Sequence, residues 1–286
     1  MLRTQVVLAI AWSAAAFAAG FSGASAMEFT RRAVALGPRP SGSEANKQLQ
    51  ALILTQLKSC KCEVTEDAFS AKGPRGAVAM KNILARFAGR SGRSLVITGH
   101  FDTKSFPGRK FVGASDGGSS TGLLLELARV LTGQPRVDDV VLVWFDGEEA
   151  FGEWTDVDKL WGSRHLADKW QKDGTLKRVR ALINVDMIGD RNLNIQREAS
   201  GNRALTSLVW KTAADLGHEA NFPNDEIEID DDHRPFLERG VAAIDLIDFD
   251  YAPWHTDDDT LDKLSAQSLE TVGTVVDEVI QRLERQ

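Results

Sequence analysis

Asp116, the adjacent pair Glu148 and Glu149, Asp186 and His255 come from four distant parts of the chain, yet each sits where a strand-like or helix-like segment begins or ends. Asp116 lies in a glycine-rich loop ahead of a helical pattern, and Glu148 and Glu149 follow the apolar run Asp139 to Phe145. Asp186 closes the segment Ala181 to Asp186, and His255 follows Trp254 beyond the last strand-like run. His100 and Asp102 follow a further strand, Ser94 to Gly99. Five separate connections therefore carry carboxylates or imidazoles to the edge where open α/β sheets bind ligands, beyond the carboxyl ends of their strands. Carboxylates gathered without a cation repel one another, and some must take up protons. A zinc ion resolves that conflict, because it accepts imidazole nitrogen and carboxylate oxygen and keeps one tetrahedral position open for water or substrate. The side chains of the adjacent Glu148 and Glu149 diverge, so one can ligate while the other handles protons. Taken singly, a glutamate pair is usually solvated surface and a lone histidine a satisfied polar residue. Their joint placement at strand ends is what points to a metal centre.

The elements that must position these residues follow from hydrophobic periodicity. Met27 to Leu36 reads as a helix. After the turn cluster Gly37 to Gly42, Ser43 caps a second helix to about Leu57, with Leu49, Leu52, Ile53 and Leu57 on one face. Val64 to Phe69 and Asn82 to Phe87 are strands. Thr121 to Leu131 is a helix, with Leu124, Leu127, Ala128 and Leu131 at helical spacing. The nearly unbroken apolar run Asp139 to Phe145 is the pattern of a strand covered on both faces. Helices are expected over Ser163 to Trp170, Ala204 to Leu216, Asp232 to Arg239 and Ser265 to Leu283, and strands over Ala181 to Asp186 and Val241 to Ile247. Alternating helices and buried strands predict a three-layer α/β fold with a mostly parallel or mixed central sheet flanked by helices. No internal repeat or linker divides the chain.

The first residues read as an export signal. Arg3 supplies a positive start, Val6 to Gly20 is apolar or small, and Ala24-Ser25-Ala26 is a small-x-small cleavage sequence. On this reading residues 1–26 are a signal peptide, and residues 27–286 form one catalytic domain in a secreted or periplasmic protein. That length suffices for one large core, and no later apolar run is long enough to span a bilayer. A net charge of −7 without a basic cluster argues against a nucleic-acid partner. Cys60 and Cys62 are the only cysteines. A bridge across one intervening residue is cramped, and a lone CxC lacks the second pair of a structural zinc site, so no metal is expected there.

The blocks FDGEEAFGEW (Phe145 to Trp154), LWGSRHLADKW (Leu160 to Trp170), DDHRPFLERGV (Asp231 to Val241) and WHTDDDT (Trp254 to Thr260) resemble the zinc-dependent glutaminyl-peptide cyclotransferases. These belong to the wider superfamily of zinc aminopeptidases. GPRPSGS (Gly37 to Ser43), GHFDTK (Gly99 to Lys104) and VGASD (Val112 to Asp116) extend the match over nearly all of the chain beyond the leader. The resemblance implies one catalytic zinc on Asp116, Glu149 and His255, and Glu148 as the proton-shuttling residue. It also implies that Asp186 and Asp231 form a hydrogen-bond network with Glu148, Asp231 being preferred over Asp230 and Asp232. Trp154 and Trp254 match pocket-lining tryptophans, whereas Trp144 and Trp170 read as core. The implied substrates are peptides or proteins with an N-terminal glutamine.

Three features depart from the vertebrate pattern. Gly99 and Thr121 stand where a cysteine pair flanks the site, the loop after Asp116 reads GGSSTG, and Asn184 to Gly189 has an aminopeptidase style. They keep a rival open, a two-zinc aminopeptidase in which His100 and Asp186 hold a second metal bridged by Asp116 and Glu148 activates water. A catalytically silent extracellular binding module is a third possibility, because a fold does not guarantee activity.

Overall fold

The computed structural model describes residues 20–73 and 76–286, so most of the expected export signal lies outside the described residues. One eight-stranded sheet runs through the molecule in the order β1-β2-β4-β3-β5-β8-β6-β7. The central strands β3 (Ser94–His100), β4 (Asp139–Phe145), β5 (Val179–Asp186) and β8 (Ala243–Ile247) pair in parallel. The hairpin of β1 (Glu63–Gly73) and β2 (Gly76–Phe87) adds antiparallel to β4 on one side. The short strands β6 (Gln196–Glu198) and β7 (Glu226–Ile227) extend the other side through an antiparallel β6–β8 pairing.

Period-two alternation divides β4 between two cores. Val140, Leu142 and Trp144 face one helical layer, and Val141, Val143 and Phe145 face the other. Both faces are covered, which is why this strand has no polar position in its interior. The first layer holds α1 (Gly23–Val34), α2 (Glu44–Leu57), α3 (Gly118–Leu131), α5 (Arg203–Asp215) and α7 (Ala266–Glu284). The second holds α4 (Trp161–Asp173) and the single turn α6 (Arg234–Leu237). This is the expected three-layer α/β architecture around a mixed sheet. Ser43 caps α2 as expected, its hydroxyl accepting from the Asn46 amide at 3.1 Å, an interaction typically worth about 1 kcal/mol.

The structure corrects several boundaries. β1 and β2 run on to Gly73 and Gly76, well beyond the expected strand ends, because these outer residues pair through their backbones while most of their side chains stay exposed. β6 and β7, three and two residues long, are too short to have a period. The helix expected over Asp232 to Arg239 shrinks to Arg234–Leu237. The first helix begins at Gly23 rather than Met27, so Gly23 to Ala26, assigned to the leader, form its first turn. Ala26 is fully buried there. The physical reason is that small residues serve close helix packing as well as they serve a processing enzyme.

Candidate active site

The carboxyl ends of β3, β4, β5 and β8 lie side by side, so the loops that follow them converge at one edge. β3 ends at His100, β4 leads into Asp146 to Glu149, β5 ends at Asp186, and the loop after β8 reaches His255. Asp116 comes from the turn before α3. There Gly117 takes φ 74°, and a β-carbon on it would lie 2.6 Å from the Asp102 carbonyl oxygen, so glycine is required.

Asp116, Glu149 and His255 each offer a ligand atom to one cluster. His255 Nε2 lies 3.1 Å from Glu149 Oε1 and 3.4 Å from Asp116 Oδ2. Donors about 2.1 Å from a tetrahedral metal are themselves about 3.4 Å apart, so these spacings fit one divalent ion. Glu149 Oε2 is buried with no hydrogen bond, the Lys104 ammonium standing 3.6 Å away, and the buried Asp116 Oδ2 meets only the His255 ring at 3.4 Å, so a cation between the two carboxylates would satisfy both. His100, Asp116 and Asp186 form a second cluster of the same kind, with His100 Nε2 3.2 Å from Asp116 Oδ1 and 3.0 Å from Asp186 Oδ1. The geometry is thus competent for one ion on the first cluster, or for two ions sharing Asp116.

The charge states follow from crowding in a dry pocket. Burial raises Glu148 well above the usual carboxylate range; His100 opposes this, and the neighbouring charges of Glu149, Asp231 and Asp232 add to it. Burial likewise brings Asp186 to about 7 against the pull of His100. Burial also raises Glu149, with the Asp116 charge adding to the effect. His255 is raised as well, but against its burial, which works to lower it: its bonds to Asp116 and Glu149 prevail and hold it at about 9. A pocket that gathers this much negative charge selects for cations.

Other residues hold the cluster in place. Asp102 accepts the backbone N–H groups of Glu148 and Glu149 at 3.2 and 3.4 Å, which fixes the turn that makes the two glutamates diverge. Asp259 does the same for the Asp116 loop. It accepts the Ser115 amide at 2.8 Å, the Asp116 amide at 3.2 Å and the Tyr251 hydroxyl at 2.7 Å. Arg39 is fully buried and its guanidinium donates to the carbonyls of Phe101, Val112 and Gly113, tying the β3 exit to the same loop. His255 sits at φ 53° with its ring stacked on Trp254 at 4.2 Å and edge-on to Phe106 and Phe111 at 5.4 and 5.6 Å. That cage leaves Nε2 aimed at the two carboxylates. In Asp259→Asn an amide donor faces backbone donors, so divalent-metal affinity should fall about 10–100-fold, the usual effect of losing an outer-shell partner. Competition against a chelator measures it.

A cavity of about 770 Å³ opens over the cluster, lined by Glu148, Asp186, Asp231, Met187, Phe249 and Trp254 among others. That size is typical of a small-molecule site. Trp154 and Trp254 stand at its rim, 39% and 40% exposed, while Trp144 and Trp170 are buried in the two cores. Among the three consecutive aspartates, Asp231 lines the cavity, Asp232 is fully buried behind it, and Asp230 is at the rim. Asp186 bonds His100 at 3.0 Å, whereas Asp231 is a neighbouring charge to the buried Asp245. Asp231 acts on Glu148 as a neighbouring charge. Cys60 and Cys62 are free thiols remote from this cavity. Gly99 has no room for a side chain, since a β-carbon there would lie 2.7 Å from Ser120 Cβ.

Sequence reasoning missed Arg39, Phe106, Phe111, Tyr251, Asp245 and Asp259. Arg39 was hidden in a turn-like Gly-Pro cluster. Asp259 belonged to an acidic run whose nearness to His255 was the one available signal.

The model of peptidase family M28 matches residues 82–280. A glutaminyl-peptide cyclotransferase of Gloydius blomhoffii is 31% identical over 254 residues, covering 74% of this chain and 68% of its own. The glutaminyl-peptide cyclotransferase of Drosophila melanogaster is 28% identical over 266 residues, covering 84% of this chain and 75% of its own. The crystal structure of an Acidobacteriales bacterium glutaminyl cyclase superposes with a TM-score of 0.89 at 36% identity, over 98% of this chain and 99% of that one.

Proposed function

Because the chain belongs to peptidase family M28 and, within it, to the glutaminyl-peptide cyclotransferases, we propose that this cavity closes the N-terminal glutamine of peptides and proteins to pyroglutamate and releases ammonia. In this reading Asp116, Glu149 and His255 hold one zinc ion, Glu148 moves the proton, and Asp186 and Asp231 set the charge around it. The observation that carries the reading is a buried glutamate with a raised pKa beside a three-donor cluster, on the floor of a tryptophan-rimmed cavity.

Bound zinc would supply Lewis acidity at the γ-carbonyl oxygen, where negative charge develops. The residues of the chain do the rest. The α-amine nitrogen bonds to the γ-carbon and the γ-carbon–amide nitrogen bond breaks, so one proton must pass from the incoming nitrogen to the outgoing one. Glu148 takes that proton and returns it. This requires a carboxyl group raised out of the ordinary carboxylate range, and burial beside Glu149, Asp231 and Asp232 supplies one. Trp154, Trp254 and Phe249 hold the glutaminyl chain folded, which counts because ring closure depends on orientation.

Trp154 is itself held. Its indole Nε1 donates to Asp230 at 3.3 Å, and the Lys159 ammonium pairs with Asp230 and lies 5.9 Å from the indole ring. In Lys159→Ala the wall should loosen and KM should rise about fivefold, the scale of a rim ion pair of about 1 kcal/mol, with kcat little changed. Steady-state kinetics with Lys159→Arg as the rescuing variant tests this.

The two-zinc aminopeptidase is not favoured: the relatives named above are cyclases, although the His100 cluster meets the geometry for a second ion. The discriminating experiment offers the purified protein Gln-initiated peptides and aminoacyl amides. Ammonia with a pyroglutamyl end supports the cyclase, and a released free amino acid supports the rival. The export signal supports a secreted or periplasmic location, and no helix among the described residues is long and apolar enough to cross a membrane.

A further inference from the structure

Gly20 to Ala26, the stretch just ahead of the expected mature start at Met27, fits into the fold on two sides. The Arg129 guanidinium donates to the Gly20 carbonyl at 2.9 Å. The Ser22 amide donates to Glu126 on α3 at 2.9 Å, and the Gly23 amide to Glu270 on α7 at 3.1 Å. The Ser22 hydroxyl caps α1 by accepting from the Ser25 amide at 3.3 Å. The Phe21 ring lies on Gly273 of α7, where a β-carbon would come within 2.2 Å of it. Gly23 meets the Ala266 carbonyl, and Gly122 of α3 lies under the Ala26 carbonyl, each so closely that only glycine fits. Ala26 and the side chain of Glu126 are fully buried. A discarded leader has no need of such complementary glycines, a cap, and anchors on both α3 and α7.

We propose that the leader is removed by hydrolysis of the Ala18–Ala19 peptide bond, so that the mature chain begins at Ala19 and keeps Gly20 to Ala26 as the start of α1. Ala16-Phe17-Ala18 meets the same small-x-small requirement as Ala24-Ser25-Ala26, and cutting there keeps the Gly20 carbonyl that Arg129 binds. One water is consumed, leaving a carboxylate on Ala18 of the leader and an α-ammonium on Ala19. Cutting after Ala26 would instead remove the cap and first turn of α1, strip Glu126 and Glu270 of their backbone partners, and uncover Gly273. The enzyme that cuts acts on the unfolded, translocating chain, so the choice lies in the local sequence, and the fold shows which product is complete.

The inference rests on the reading that the chain has an export signal. Its test is to express the full chain with its own leader in a bacterial host, recover it from the periplasm or medium, and determine its N-terminus by intact mass and Edman sequencing. Ala19 is expected. Met27 overturns the inference but leaves the export signal standing, whereas an intact Met1 overturns both. In parallel, chains expressed from Ala19 and from Met27 are compared by thermal unfolding, the shorter being expected to melt at least about 5 °C lower. Equal midpoints would show that Gly20 to Ala26 is no part of the fold's support and would overturn the inference.

Discussion

Glu148→Gln should lower kcat on a Gln-initiated peptide by about 10²–10⁴-fold, the range of a general acid–base residue, with KM and zinc content close to those of the parent. The side chains are nearly isosteric, and the Glu148 backbone stays fixed by the Asp102 carboxylate. What the amide cannot do is take a proton from the attacking amine and return it to the departing one. The parent carboxyl can, because burial and the charges of Glu149, Asp231 and Asp232 raise it well above its ordinary range. Loss of metal together with activity would move Glu148 from proton transfer to ligand support. A change below about tenfold in kcat would remove it from the chemistry.

His255→Ala should be the more severe change, lowering zinc affinity by more than about 100-fold, since outer-shell partners alone cost 10–100-fold. His255 is the only imidazole in its cluster. It closes the spacings to Glu149 and Asp116 at 3.1 and 3.4 Å, and its ring is held by Trp254, Phe106 and Phe111. Without it, Asp116 and Glu149 face each other with only the Lys104 ammonium, 3.6 Å from Glu149 Oε2, to offset their charge, so repulsion in the pocket increases. Isothermal titration with zinc measures the affinity. The parent enzyme, stripped by a chelator, should lose activity and regain it with zinc, whereas His255→Ala should stay inactive at the same free zinc. Tight zinc binding by the variant would show that the ion sits elsewhere.

The parts of this site legible in the sequence were those that obey simple periods. The apolar run Asp139 to Phe145 revealed a strand covered on both faces, and its carboxyl end placed Glu148 and Glu149. The same reasoning put Asp186 and His255 at neighbouring strand ends, and the parallel pairing of β3, β4, β5 and β8 brings those ends together. Not legible were interactions made across the fold by residues of ordinary type. Arg39 acts through carbonyls more than 60 positions away. Asp259 binds amides of a loop 143 and 144 positions upstream. No local pattern marks either residue, because what they bind is backbone, which is the same at every position. The Gly23 start of α1 was obscured for a different reason: glycine, alanine and serine are what a processing enzyme accepts and also what three closely packed helices need.

The central claim is that Asp116, Glu149 and His255 share one metal ion. Anomalous diffraction recorded on both sides of the zinc absorption edge, from crystals of protein purified without added metal, tests it most directly. The account predicts one strong peak about 2.0–2.2 Å from Asp116, Glu149 and His255 Nε2. A peak held by His100 and Asp186 with Glu149 and His255 out of reach, or no zinc signal in active protein, would contradict it.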